Sequence, residues 1–376
     1  MLSQLKELLV YLDNRLDEAG VLNSERLHCD ALNYRQIERL PIIASYPYPN
    51  DAKFQPFPHG EVFDNPEKML FNQFLSAFDS GAYLSCELGD DLPITIRADF
   101  GCVLIASMFG ANIEQVENNP PWVRHSEEKI SYEQIIQTSI SDFNNGLIAK
   151  AADRYKFYKD VLKDYPRLSK LTNIVLPDLQ GPFDNLELLR GSEVFLDMYS
   201  QKELFLKAMD VITDAQIELA KYFGQFTNDR IKGFSFQHGF ALKGGILIRN
   251  DTSIMISPQM YDELVSPFDE KILKTFGGGI HSCGNVDRIV QQFLSAKSID
   301  CFDFGQSELN DIESVYPFAS KRKIGLTRIA VSEQELLNGK IQKKYPTGVS
   351  LIFRAKSFEQ AKKVIADYKK QPATAK

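Results

Sequence analysis

The chain has 376 residues, 44% of them hydrophobic and 25% charged, which suits a globular protein with a large apolar core. Its net charge of −7 leaves no broad basic surface, so nucleic acid is not an expected partner. Five scattered cysteines, no run of the roughly 18 apolar residues a membrane span needs, and a first segment without signal-peptide layout predict a cytoplasmic protein with no membrane partner.

Leu2, Leu5, Leu8, Leu9 and Leu12 form an apolar stripe at helical spacing, and a second helix is expected from Ser24 to about Leu40. Six prolines between Pro41 and Pro66, interleaved with aromatics, predict an irregular covering loop. Residues 1–90 are therefore read as a helical extension and residues 91–376 as the main domain.

From Leu92 the pattern changes. Ile94, Ile96 and Ala98 alternate with Thr95, Arg97 and Asp99, as in a strand. Ser131–Gln134 has the capping-box pattern for a helix reaching about Tyr158. A buried strand follows over 173–178, then a Gly181–Pro182–Phe183 turn and a helix over 202–226. Residues 234–238 and 245–251 both read as strands, with too few residues between them for a helix. Ser257–Pro258 opens the next helix. Strands over 299–305, 323–326 and 349–354 alternate with helices that Ser332 and Ser357 cap. Alternation of about eight strands with helices implies a parallel sheet, and the length favours a closed α/β (β/α)8 TIM barrel with an N-terminal helical extension.

Within this order one stretch carries chemistry, Gly277–Gly278–Gly279–Ile280–His281–Ser282–Cys283–Gly284–Asn285. In a strand His281 and Cys283 share one face, and Asn285 is a favoured helix N-cap. The stretch reads as strand end, turn and helix, the edge where parallel α/β proteins place their sites. Imidazole plus thiolate is a zinc donor set. The bland alternative is a hydrogen-bonded loop histidine beside a small buried cysteine. Asp251 and Asp303 each lie near a strand's C-terminal end, where they can orient a ligand imidazole or a substrate. His238 is a candidate acid/base or extra ligand, and Arg97 either pairs with Asp99 or binds a substrate carboxylate.

Asn250–Asp251–Thr252, Ile256–Ser257–Pro258–Gln259–Met260–Tyr261, Pro267–Phe268, Ile280–His281–Ser282–Cys283–Gly284–Asn285, Ile299–Asp300 and Gly325–Leu326 follow one another as in a known family. In this order the chain resembles the uroporphyrinogen decarboxylase superfamily, especially its corrinoid-dependent methyltransferase branch. Nothing in residues 1–110 matches the Arg-rich segment with which the decarboxylases grip porphyrinogen side chains. The zinc methyltransferases add a cysteine near the last strand, where this chain has Val349–Ser350–Leu351–Ile352. The resemblance implies zinc at His281 and Cys283, with Cys301, His238 or a carboxylate such as Asp251 as third ligand. It also implies methyl transfer between a corrinoid carried on a partner protein and a thiol or similar small-molecule acceptor. In that scheme Asp251 and His238 are catalytic, while Arg97 and Asp303 bind substrate. The alternative on the same barrel is a metal-free decarboxylase-like enzyme or binding protein for a small carboxylated ligand.

Overall fold

The computed structural model describes residues 1–75, 81–115, 118–125, 129–237 and 239–371. Twelve strands occur among them: β1 (Ile42–Ser45), β2 (Thr95–Ile96), β3 (Ile113–Glu114), β4 (Trp122–Val123), β5 (Asn173–Ile174), β6 (Phe234–Gln237), β7 (Phe240–Lys243), β8 (Ile246–Arg249), β9 (Gly278–Ser282), β10 (Cys301–Phe304), β11 (Gly325–Val331) and β12 (Val349–Arg354). Six of them form one parallel sheet in the order β1-β12-β11-β10-β9-β8. The first strand thus pairs with the last. β2 and β5 form a separate parallel pair, and β6 with β7 an antiparallel hairpin.

The expected mixed α/β fold with a parallel sheet is present. A closed eight-strand ladder is not: among the described residues the parallel strands fall into a set of six and a set of two. Strand β1 lies inside the proline-rich stretch expected to be irregular. Ile42–Ile43–Ala44 is a short apolar run, and its register with Leu351–Phe353 buries it in the sheet. Residues 234–237, expected to belong with the other strands, instead fold back on 240–243.

Helices behave as their patterns require. Leu5, Leu8, Leu9 and Leu12 are fully buried on the Ser3–Arg15 helix. The second helix covers Glu18–Leu32, earlier than its pattern suggests. Ser131 and Gln134 make the expected reciprocal capping box, but the helix stops at Gln137 and a new one starts at Ile148. Ser139, Ser141 and the Asn144–Asn145–Gly146 turn fall between them; such residues offer the backbone local alternatives to helix. Asn285 does not cap a helix directly. It accepts from the Asp287 N–H at 3.2 Å, and the helix begins only at Val290.

A buried charge cluster ties the two chain ends to the sheet. Asp91 is wholly buried and accepts hydrogen bonds from Arg39 (2.5 and 2.8 Å), Lys369 (2.9 Å), Ser24 (3.0 Å) and the Ile42 N–H (3.0 Å). Burial alone would raise its carboxyl, but Arg39 and Lys369 outweigh that and hold it well below the usual range. A depressed folded value means stability that is present above about pH 4 and lost as pH falls below it. Asp91→Asn is expected to cost about 3–5 kcal/mol, because two cations lose their partner. Thermal melts from pH 6 to pH 3 check this: wild type should lose stability on acidification, and the variant should start lower and change less.

Candidate metal centre

The site is built at the C-terminal edge of β8 to β11. Strand register places Arg249, His281, Asp303 and Thr327 in one row across these four strands. Chains entering β9 pass very close to their neighbours. A Cβ on Gly278, whose φ is +135°, would stand 2.0 Å from the Ile246 carbonyl oxygen. A Cβ on Gly305 would stand 2.6 Å from the Cys283 sulfur, so glycine there leaves room for the thiol.

His281 is 7% exposed. Its Nδ1 lies 2.7 Å from Asp303 Oδ2 and its Nε2 lies 3.3 Å from Cys283 Sγ. The nearest oxygen of Asp251 is 3.6 Å from Nε2. Asp251 also accepts the Cys283 N–H at 2.6 Å, which fixes the turn after β9 to the turn after β8. Asp251, His281 and Cys283 each offer one ligand atom, and these atoms lie within 4.8 Å of one another. Buried Asp184 holds the Asp251 turn in place by accepting the N–H groups of Asp251 and Thr252, each at 2.9 Å. Burial and the neighbouring Asp251 charge push the Asp184 carboxyl up.

Asp303 is fully buried, and its oxygens are taken up within the protein. Thr327 Oγ1 donates to Oδ1 at 2.7 Å; Arg328 donates through Nε to Oδ1 (2.7 Å) and through Nη2 to Oδ2 (2.5 Å). Burial would raise this carboxyl, but the Arg328 charge and the His281 contact hold it well below the ordinary range. An ionised Asp303 only accepts, so Nδ1 of His281 carries a ring proton, and in the neutral ring Nε2 then presents its lone pair toward Cys283 and Asp251. Burial, with Asp251 adding to it, pushes the Cys283 thiol up to about 12. The carboxylates of Asp251 and Asp303 and the guanidinium groups of Arg328 and, one strand over, Arg249 stand around the thiol and the imidazole. Asp251, the carboxylate not enclosed by Arg328, stands with the thiol and the imidazole as a donor set that suits a divalent cation.

Arg97 takes the paired arrangement. It is 6% exposed, 2.9 Å from Asp99 and 3.4 Å from Asp178, and Arg249 lies 3.0 Å from the same Asp178. Cys301, weighed as a third ligand, is fully buried among Phe240, Leu242 and Leu247. His238 lies outside the described residues. Sequence reasoning passed over Arg328, Asp184 and Arg249. Only Arg249 had a visible signal, standing in the strand just before Asp251.

No helix among the described residues is long and apolar enough to cross a membrane. No family model and no curated protein matches the chain. A solved structure does: a methyltransferase from Methanosarcina mazei, 13% identical, with a TM-score of 0.64 over 92% of this chain and 98% of that one. At this identity the likeness establishes a shared fold along nearly the whole of both chains.

Proposed function

We propose that the chain is a zinc-dependent methyltransferase that moves a methyl group between a corrinoid carrier protein and a thiol or similar small acceptor. One observation carries this reading: a Cys–His–Asp donor cluster stands at the functional edge of a fold shared with a methyltransferase. His281 would bind through Nε2, Cys283 through its sulfur and Asp251 through a carboxylate oxygen, which leaves a position for the acceptor. A zinc ion bound by these residues would supply Lewis acidity toward a thiol acceptor. Asp303 keeps the Nδ1 proton in place and so keeps Nε2 available. Arg97 and Arg249 share Asp178, and in this reading Arg249, in register with His281, would orient the acceptor with Arg97 behind it.

A metal-free reading has one observation in its favour. Cys283, His281 and Asp303 line up as nucleophile, base and orienting acid, at 3.3 and 2.7 Å. The raised thiol and the acid beside it weigh against this, since a catalytic cysteine needs an electropositive setting. Methylcobalamin as a free methyl donor and a panel of small thiols test the proposal. The zinc-loaded protein should demethylate the cobalamin only when thiol is present, and a chelator should stop the reaction reversibly. Absence of thiol methylation by zinc-loaded protein would overturn it.

A further inference from the structure

Among the described residues Arg328 is the one non-glycine strand residue with a left-handed backbone, at φ +58°. It sits where β11 slips register against β12, between Leu326 and Ile329. In a regular strand Thr327 and Arg328 would point to opposite faces. Here both side chains reach Asp303, so the bulge has turned Arg328 onto the face of its neighbour. Ser307 braces the bulge from β10's far end. It donates to the Arg328 carbonyl at 2.9 Å and accepts the Ala330 N–H at 2.7 Å. The Phe240 ring lies 5.1 Å from the guanidinium carbon and supports it from another side.

The guanidinium grips Asp303 by two different nitrogens, one on each carboxylate oxygen. A two-point grip fixes the plane of the carboxylate as well as its position, which a lysine cannot do. Arg328 Nη2 also lies 3.0 Å from His281 Nδ1. Both nitrogens bear hydrogens when Nδ1 is protonated, so the two donors meet over the shared acceptor Oδ2 and leave the imidazole little freedom to turn. We infer that Arg328 is a positioning residue: through Asp303 it selects the Nδ1–H tautomer of His281 and aims Nε2 at the Cys283–Asp251 cluster. The inference rests on the metal-centre reading for its purpose, but the tautomer can be read without metal.

The experiment pairs nitrogen-15 NMR of the histidine rings in metal-free protein with zinc affinity from chelator competition. Wild type, Arg328→Met and Arg328→Lys are compared, with Ser307→Ala as a variant that loosens the bulge and keeps the guanidinium. Wild type should show His281 as the Nδ1–H form alone. Both arginine variants should show mixed tautomers, with zinc binding weakened roughly 10- to 100-fold, the range for an outer partner of a metal histidine. Ser307→Ala should lie between, and it carries the test if an arginine variant does not fold. An unchanged single tautomer in all variants, with zinc affinity within about threefold of wild type, would overturn the inference. Wild type that binds no zinc would sink the metal centre and leave the tautomer comparison to decide the role of Arg328.

Discussion

His281→Ala and Cys283→Ser are each expected to weaken zinc binding by more than about a hundredfold, beyond what loss of an outer partner costs. Each variant leaves two of three protein ligands. A divalent ion then trades a fixed donor for water, and the remaining carboxylate cannot replace the lost nitrogen or sulfur. The fold should survive both changes, because the side chains stand at the end of β9 and the sheet register rests on backbone pairing through 278–282. Chelator competition measures the affinity, and circular dichroism checks the fold. Asp251→Ala should weaken zinc as well, with an added effect on the turn, since Asp251 also accepts the Cys283 N–H. Affinity retained in His281→Ala would mean that the imidazole is not a ligand.

Gly278→Ala should be the most damaging single methyl in the sheet. The added Cβ would meet the Ile246 carbonyl oxygen at 2.0 Å, across a strand pair that joins β8 to β9. Backbone cannot yield there without breaking that pairing, and a φ of +135° is itself a conformation that L side chains rarely adopt. A loss of about 4 kcal/mol or more is expected, in the range reserved for strain and overpacking. Urea unfolding of the soluble fraction measures it. A loss under about 1 kcal/mol would show that the entry to β9 is more yielding than its close approaches indicate.

Much of the centre could be read from residue order. His281 and Cys283 stand two positions apart, and although β9 ends at Ser282 the extended chain still brings their side chains together, with Asp251 and Asp303 at neighbouring strand ends beside them. Arg328 could not be read in the same way. The strand read over 323–326 stops at Leu326, where the bulge begins, so alternation assigns Arg328 no face. The role of Asp303 also depended on this neighbour. An acid at a strand end can orient a substrate or a ligand imidazole, and the arginine that encloses Asp303 leaves it the imidazole. Strand β1 was hidden for a different reason: Pro41 and Pro47 flank it, and prolines mark loops more often than the edges of a four-residue buried strand. The long helix expected after Ser131 was half legible. Its cap was written in the sequence, while its end depended on several small polar residues that only weakly disfavour helix.

Asp251, His281 and Cys283 are proposed to form a metal centre. Zinc content by elemental mass spectrometry, on tag-free protein reconstituted under reducing conditions and freed of loose metal, tests it most directly. About one zinc per chain is expected, lost in His281→Ala. Wild-type protein with no bound zinc would contradict it.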